Sequence, residues 1–278
     1  MKTIYPADDD KDDRMFIRMA MEQEISDVRI LELSSGDLLI DALEQEKATN
    51  TPAVIIMDMN MPRMNGLETL SYLKSNTSYK HIPVVMLSTT SDEYLVRDSY
   101  NRGVNAFIEK PIFHQDFARL VQAIDVCFLN ASHPAENSPQ QLKRSGGIII
   151  IEDDEDQLYF LRLAIRESMP FTNIYEYTHI RDVLLDISHH WSKFTPPPKL
   201  ILMDLYLPTS NKGLDLLIQI QQLLVLKGMG SLPVVVFTNS EDPDDMKASY
   251  ASNANTFMTK NSNMMHWKND FKNLHRFW

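Results

Sequence analysis

The 278-residue chain contains a single cysteine, Cys127, so no disulfide can form within it. It has no apolar stretch of the ~18–20 residues that a membrane-spanning helix needs. Its N-terminus lacks the apolar segment of a secretion signal. These absences argue against a disulfide-bonded secreted domain and against a membrane protein, and they favour a location in the reducing cytoplasm.

The chain is also short of basic residues, with 27 Lys and Arg against 38 Asp and Glu and a net charge of −11. This balance argues against a general nucleic-acid binder, which carries a basic face. The deficit is concentrated in residues 1–139, where 13 basic and 22 acidic residues give a net charge of −9. A basic partner surface would suit this half, although solubility alone also accounts for an acidic balance.

The chain does contain one pattern of polar residues that is present twice. In each half, an acidic pair follows an apolar run, a second run ends in Asp, a third ends in a hydroxyl residue, and a Lys follows 22 residues later. These residues are Asp8–Asp9, Asp58, Ser88 and Lys110 in the first half, and Glu152–Asp153, Asp204, Thr238 and Lys260 in the second. Corresponding residues lie 144 to 150 positions apart, which indicates duplication of a whole domain and not a solenoid repeat.

Short apolar runs alternate with helical patterns in both halves. This alternation predicts βαβ units and a parallel sheet. We therefore predict an α/β protein of two doubly wound (βα)5, flavodoxin-like domains, each with a five-stranded parallel sheet. The predicted elements include a strand over 28–33 and helices over 36–48, 113–130 and 213–227. The polar segment 131–145 is typical of a linker, between a domain at 1–130 and a domain at 146–278.

The repeated polar residues all follow predicted strands, where ligands bind in such sheets. Asp58 and Asp204 are candidate nucleophiles for a phosphoryl group, because nearby Mg²⁺ and Lys would neutralise the negative charges. The predicted Mg²⁺ ligands are Asp8, Asp9, Asp58 and the carbonyl of Asn60, and in the second half Glu152, Asp153, Asp204 and the carbonyl of Tyr206. Asp8 and Glu152 would bind through water. Lys110 and Lys260 would pair with one phosphoryl oxygen, and Ser88 and Thr238 would hydrogen-bond another.

Taken singly, these residues have simpler explanations. An Asp at a strand end is usually a helix cap or a turn residue. The Asp8–Asp13 cluster resembles a calcium loop in composition, but it lacks the Gly and the final Glu of an EF-hand. The joint recurrence of the whole set, in the same order and at strand ends, favours the phosphoryl site.

The chain resembles two tandem receiver domains of two-component response regulators. The resemblance is carried by 7–9, 57–62 with Gly66, 87–89 and 109–111, and by 151–153, 203–208, 237–239 and 259–260. It implies Mg²⁺-dependent phosphorylation by a histidine kinase or a phosphotransfer protein, and a downstream protein target. It also implies switch aromatics, Phe107 and Phe257, and a responding surface near 92–128 and 243–275. We expect no output domain, no enzymatic turnover beyond self-catalysed phosphorylation and dephosphorylation, and no nucleic-acid or membrane partner.

The second copy departs from the family pattern in two ways. The family usually has a cis bond after its Lys, as expected for Lys110–Pro111. Lys260 is followed by Asn261, and a cis bond without Pro costs about 2.5–4 kcal/mol, so we expect a trans bond that could displace Lys260. The second copy also has one more residue between its nucleophile and the next Gly. The alternative is therefore a binding module in which the second domain is not phosphorylated.

Two further hypotheses concern the residue that lies two positions after each nucleophile. A haloacid-dehalogenase-type phosphatase needs an acid/base Asp there, and neither Asn60 nor Tyr206 can do that work near neutral pH. The same position lies beside the path of an attacking water. The bulky Tyr206 therefore predicts slower hydrolysis of a phosphoryl group at Asp204 than at Asp58.

Overall fold

The computed structural model describes residues 2–45, 51–90, 92–129 and 146–277. The side chains of 114–115, 264–265 and 275–277 are outside this description. The described residues up to Leu129 form one compact unit, and those from Gly146 to Arg276 form another. We call them the first and second units. The predicted linker, 131–145, lies outside the described residues, so the domain boundaries stay a prediction.

The first unit alternates five strands with five helices. Its strands are β1 (Lys2–Ala7), β2 (Val28–Ile30), β3 (Val54–Asp58), β4 (Val84–Ser88) and β5 (Ala106–Glu109). Its helices are α1 (Lys11–Glu24), α2 (Gly36–Gln45), α3 (Gly66–Ser75), α4 (Glu93–Asn101) and α5 (His114–Leu129). All paired strands are parallel, in the order β2-β1-β3-β4-β5. This is the strand order of a flavodoxin-like doubly wound sheet.

The second unit has the same architecture. Its strands are β6 (Gly147–Ile151), β7 (Asn173–Tyr177), β8 (Pro198–Met203), β9 (Val234–Thr238) and β10 (Thr256–Thr259). Its helices are α6 (Glu155–Ser168), α7 (Ile180–His189), α8 (Ser210–Leu226), α9 (Pro243–Ala251) and α10 (Met264–Phe277). Its parallel strands have the order β10-β9-β8-β6-β7, which is the order of the first unit given from the opposite edge of the sheet. The prediction of two doubly wound α/β units is confirmed.

The central strands have the composition that burial on both faces requires. Every residue of β3, β4, β6 and β9 is buried, as in parallel sheets covered by helices on both sides. Helix α1 begins where the Asp10 side chain accepts hydrogen bonds from the backbone N–H groups of Asp12 and Asp13. Asp154 caps α6 in the same way. These caps start each helix directly after the acidic pair, so the pair stays at the strand end.

Some boundaries differ from those predicted. Strand β2 is three residues long, and only an isolated bridge between Ala7 and Leu33 continues it. Helix α8 begins at Ser210 and not at 213, because the Thr209 side chain accepts from Lys212 N–H and caps it. A short 3₁₀ helix, Trp191–Lys193, follows α7 and was not predicted. Helix α2 is described as far as Gln45, so residues 46–48 of its predicted span are outside the description.

Within the described part of the chain, no helix is both long enough and apolar enough to cross a lipid bilayer.

Candidate functional site

The sheet of the first unit brings its repeated polar residues to one edge. Asp8 and Asp9 directly follow β1, Asp58 is the last residue of β3, Ser88 is the last of β4, and Lys110 directly follows β5. These four strands are neighbours in the sheet, so their carboxyl ends point into one crevice. The predicted convergence of these residues is therefore seen.

Three carboxylates form the centre of this site. Asp8, Asp9 and Asp58 each offer an oxygen within 4.8 Å of the others. The backbone N–H of Asn60 donates to Asp58 Oδ2 at 2.7 Å, and the N–H of Asp10 donates to Asp8 Oδ1 at 2.9 Å. These bonds fix the two buried carboxylates, whereas Asp9 is exposed.

Lys110 faces three carboxylates at once. Its Nζ lies 2.8 Å from Asp8 Oδ2, 2.8 Å from Asp13 Oδ2 and 2.9 Å from Asp58 Oδ1. Its backbone N–H donates to the carbonyl of Ser88 at 2.7 Å. That bond joins the ends of β4 and β5 and places the hydroxyl residue and the Lys next to each other.

The charges in this crevice do not balance. Burial raises the pKa of the Asp8 carboxyl to about 6, although the ammonium of Lys110 opposes the shift. Burial alone would lower the pKa of Lys110, but the carboxylates of Asp13, Asp8 and Asp58 outweigh it and raise that pKa above its usual value. One ammonium therefore neutralises only part of the negative charge of several carboxylates. The remaining negative charge would attract another cation.

The donor set fits a hard divalent cation. Asp8 Oδ2 is buried and, although close to Lys110, accepts no hydrogen bond of ordinary geometry. Such an oxygen can accept from a water that a cation holds, and three carboxylates with oxygens within 4.8 Å of one another suit Mg²⁺ or Mn²⁺.

The second unit assembles the corresponding residues differently. Lys260 Nζ lies 2.6 Å from Glu152 Oε2 and 3.3 Å from Asp204 Oδ1, and it donates to Gln157 Oε1 at 2.6 Å. The side chains of Lys260 and Glu152 are each only 1% exposed. Lys260 N–H donates to the carbonyl of Thr238 at 2.6 Å, as its counterpart does in the first unit. The lysine is therefore held in a closed ion pair.

The acidic residues of the second unit do not gather as closely. Among the residues that the structure describes, the Asp8, Asp9 and Asp58 group alone meets the 4.8 Å spacing, so Glu152, Asp153 and Asp204 do not. Burial raises the pKa of Glu152, against the attraction of Lys260. The N–H of Tyr206 donates to Asp204 Oδ2 at 2.9 Å, while Asp204 Oδ1 accepts no well-aligned hydrogen bond.

The hydroxyl and aromatic residues lie on the predicted strands. Ser88 and Thr238 are fully buried, and their hydroxyl oxygens accept from the N–H groups two residues on, at 3.2 and 3.4 Å. Phe107 is half-buried, whereas Phe257 is completely buried. The two predicted switch aromatics thus differ in their access to solvent.

The peptide bonds after the two lysines correct one expectation. The cis bonds among the described residues are Thr195–Pro196 and Leu207–Pro208. Lys110–Pro111 is therefore trans, contrary to the cis bond that the family resemblance implies. Lys260–Asn261 is trans, as expected, yet Lys260 is not displaced, because it still reaches Asp204.

Sequence reasoning did not single out three contact residues. Asp13 and Gln157 occupy the same place in the first turns of α1 and α6, and each contacts the site lysine. Their common offset after the acidic pair was a usable signal. Asp245 contacts the Tyr206 hydroxyl across 39 residues, and no local pattern announces it.

The chain is similar in sequence to known signalling proteins. The profile of the response regulator receiver domain matches residues 4–125 and 148–270. Response regulator Rcp1 of Synechocystis sp. is 30% identical over 131 residues, covering 46% of this chain and 89% of Rcp1. Histidine kinase P4 of Formosa agariphila is 28% identical over 208 residues, 70% of this chain but 14% of that protein. The solved structure of the Mn(2+)-bound form of Rcp1 is 29% identical and covers 49% of this chain and all of its own, with a TM-score of 0.43.

Proposed function

The chain belongs to the response regulator receiver family, with two receiver domains in tandem, and from this premise we propose that it is a phosphoacceptor of two-component signalling. Asp58, and also Asp204, accept a phosphoryl group from a phosphohistidine of a sensor kinase or phosphotransfer protein. The phosphorylated chain then acts on a downstream protein, or passes the group on as a relay intermediate.

The observation that carries this proposal is the position of Lys110. Its ammonium touches the candidate nucleophile Asp58 and the neighbouring Asp8, where Asp9 adds a third carboxylate. A carboxylate can approach a phosphoryl group only if the like charges are neutralised. A fixed cation beside the nucleophile, in a cluster able to hold a second one, supplies that condition.

The transfer itself needs few parts. An oxygen of Asp58 bonds to phosphorus as the bond from phosphorus to the donor imidazole nitrogen breaks, and the released nitrogen takes up a proton. The N–H of Asn60 fixes the rotation of the Asp58 carboxylate. Lys110 pairs with the charge that the phosphoryl group brings. The buried hydroxyl of Ser88, at the end of the neighbouring strand, is the group that would turn to hydrogen-bond it.

We assign the divalent cation to Asp9, Asp58 and the Asn60 carbonyl, with Asp8 joined through water. A bound Mg²⁺ would neutralise carboxylate and phosphoryl oxygens together. The corresponding ligands in the second unit are Asp153, Asp204, the carbonyl of Tyr206 and, through water, Glu152.

The second unit supports a narrower version of the proposal. Asp204 has a lysine within reach and an oxygen without an aligned hydrogen bond. The competing function is a binding module, favoured by the closed Lys260–Glu152 pair and by the wider spacing of its carboxylates. In that case Asp58 would be phosphorylated and Asp204 would not.

Intact-mass analysis after incubation with acetyl phosphate and Mg²⁺ tests the proposal. We expect up to two added phosphoryl groups on the unmodified chain, one on Asp58→Asn and one on Asp204→Asn, and none on the double variant. Asp41→Asn, at an exposed position on α2, is the matched control and should be labelled like the unmodified chain. Full labelling of the double variant would refute both acceptor assignments. If Asp58→Asn abolished all labelling and Asp204→Asn had no effect, only Asp58 would be phosphorylated, and the second unit would be the binding module.

A further inference from the structure

A chain of hydrogen bonds leads away from the acceptor of the second unit to a different helix. The hydroxyl of Tyr206 donates to Asp245 Oδ2 at 2.9 Å, and the hydroxyl of Ser240 donates to the same oxygen at 2.6 Å. The backbone of Tyr206 is itself tied to Asp204 Oδ2 at 2.9 Å. One carboxylate on α9 therefore holds the side chain that follows the acceptor.

The topology shows where the Tyr206 side chain runs. Strands β8 and β9 are neighbours in the sheet, with Asp204 directly after β8 and Thr238 at the end of β9. Tyr206 follows β8, and Asp245 lies in the first turn of α9, which follows β9. A side chain that joins these points crosses the space above the two strand ends. A phosphoryl group on Asp204, hydrogen-bonded by Thr238, would lie in that space.

The exposure of Tyr206 shows that its side chain lies partly at the surface, where a cover would lie. The residue is 45% exposed, whereas Asp204 is 8% exposed and its counterpart Asp58 is 5% exposed. The two acceptors are thus similarly buried, and the second differs by the tethered ring beside it. A phenol held at its hydroxyl keeps little of its rotational freedom, so Asp245 decides whether the cover stays in place.

The first unit lacks these parts. Its residues at the three positions are Asn60, Thr90 and Leu95. Leu95 offers no hydrogen-bond acceptor, and Asn60 is too short to cross to α4 in the way that Tyr206 crosses to α9. The two acceptors of one chain therefore differ in whether a tethered ring follows the acceptor.

We infer that Asp245 is a positioning residue that holds Tyr206 across the mouth of the second acceptor site and so slows both the arrival and the loss of a phosphoryl group at Asp204. This inference rests on the proposed function. In hydrolysis, the water oxygen bonds to phosphorus opposite the aspartyl oxygen, that P–O bond breaks, and Asp204 leaves as a carboxylate with inorganic phosphate. A donor approaches along the same line, since attacking and leaving groups are roughly in line. A cover on this line hinders both reactions.

Because a cover slows both phosphorylation and hydrolysis, measuring both rates distinguishes it from a merely structural role of Asp245. Damage to the site would slow labelling by acetyl phosphate, whereas removal of a cover accelerates both labelling and decay. The test uses the full chain with Asp58→Asn, so that only Asp204 reacts, in the presence of Mg²⁺. The labelling rate and, after removal of acetyl phosphate, the decay rate are followed by intact mass.

Four variants are compared in that background. Asp245→Leu introduces the residue of the first unit, and Tyr206→Phe removes only the hydroxyl. Each should raise both rates about two- to tenfold, the effect of losing one hydrogen bond. The double variant should be no faster than either single variant, because both break the same contact. Asp244→Asn, at the exposed neighbouring position, is the control and should leave both rates unchanged.

Introducing the Tyr–Asp pair into the first unit provides an independent experiment. Asn60→Tyr combined with Leu95→Asp, in a chain that also carries Asp204→Asn, should slow labelling and decay at Asp58. Asn60→Tyr alone should have the smaller effect, because nothing then holds the ring.

The outcomes are distinguishable. If the Asp58→Asn chain takes no phosphoryl group, the second acceptor assignment fails and the inference fails with it. If it is labelled but Asp245→Leu and Tyr206→Phe leave the rates unchanged, or slow labelling, the proposed function stands and the inference is overturned.

Discussion

Lys110 and Lys260 occupy the same place in their units, but their ammonium groups contact different sets of side chains. Lys110 is shared among Asp8, Asp13 and Asp58, and this leaves an excess of negative charge. The second unit replaces Asp13 by the neutral Gln157, which accepts from Lys260. At the scale of single residues, the two copies have thus become one more acidic site and one more nearly neutral site.

This difference predicts unequal affinities for a divalent cation. Asp9→Asn should weaken the tighter Mg²⁺ binding of the chain by about tenfold or more, because affinity follows the number of charged oxygen ligands. Asp153→Asn should leave that tighter binding unchanged. Isothermal titration of the full chain with Mg²⁺ measures both, with Asp41→Asn as the control. Loss of the tighter binding in Asp153→Asn alone would contradict the assignment.

A second residue-scale prediction concerns Asp270 in α10. Burial raises the pKa of its carboxyl from 3.8 to about 7. A carboxyl whose pKa is higher in the folded state favours folding at low pH, and this contribution is lost as the pH rises from about 4 to about 7. Asp270→Asn removes the buried charge, so it should stabilise the second unit above pH 7 by up to about 4 kcal/mol.

Urea denaturation at pH 4.5 and pH 8 measures this difference. The gain from Asp270→Asn should be small at the lower pH and largest at the higher pH. Asp244→Asn, a change at an exposed site, should show no such pH dependence. An equal effect of Asp270→Asn at both pH values would show that the carboxyl does not titrate in this window.

At the scale of secondary structure, a recurring Asn clamp joins the starts of the last two strands in each sheet. Asn105 Oδ1 accepts from Val84 N–H at 2.8 Å, and Asn255 Oδ1 accepts from Val234 N–H at 2.8 Å. In the first unit Lys74 of α3 joins this clamp, because its Nζ donates to Asn105 Oδ1 and to the carbonyl of Ile82, both at 2.9 Å. This holds α3 against the starts of β4 and β5.

The Lys74 clamp gives an element-scale prediction. Burial lowers the pKa of Lys74 to about 7, yet even the neutral amine keeps two N–H donors for its two nearest acceptor oxygens. Lys74→Met would leave Ile82 O and Asn105 Oδ1 short of a donor and should lower the free energy of unfolding by about 1–3 kcal/mol. Lys74→Gln should cost less, since an amide at this position can still donate to a loop carbonyl, as Gln221 donates to the carbonyl of Asn253 in the second unit.

Urea denaturation of the full chain checks this order. Lys11→Met, at an exposed position on α1, should change the unfolding free energy by only a few tenths of a kcal/mol. If Lys74→Met were as stable as the unmodified chain, the buried amine would have no role in joining the elements.

Helices and strands could be predicted from the sequence where they depend on interactions between residues close together in the chain. Strands such as β3 were predictable because every residue is apolar up to Asp58, and the caps at Asp10 and Asp154 are local. The predicted start of α8 at residue 213 is wrong, since the Thr209 side chain caps the helix at Ser210. Gly66 and Gly213 are required by close packing, because a β-carbon at either would overlap the backbone oxygen of Asp58 or Leu205.

The same distinction holds for the site. Side chains at strand ends converge because parallel strands impose it, so their meeting could be predicted from order alone. The Tyr206–Asp245 contact could not, because it joins the loop after β8 to the first turn of α9, and no sequence period relates these two positions. The same is true of the wider carboxylate spacing in the second unit, which depends on how the longer Glu152 packs against Lys260.

At the scale of the whole molecule, each unit has its own five-stranded sheet and its own buried core. Large side chains are fully buried in both, such as Tyr5 and Phe117 in the first unit and Phe237 and Phe271 in the second. Each unit is therefore expected to unfold as a cooperative body of its own. A ligand that binds one site should then stabilise one unit only.

Beryllofluoride with Mg²⁺ provides such a ligand, because it imitates a phosphoryl group on an acceptor Asp. At a concentration of about 100 times its Kd it stabilises the folded unit by about 2.7 kcal/mol, which raises the unfolding temperature by several degrees. In the Asp204→Asn chain, calorimetry should show the transition of the first unit rising while that of the second stays in place. In Asp58→Asn, the transition of the second unit should rise instead. If either single variant moved both transitions together, the units would be thermodynamically coupled, and two independent acceptors would not describe this chain.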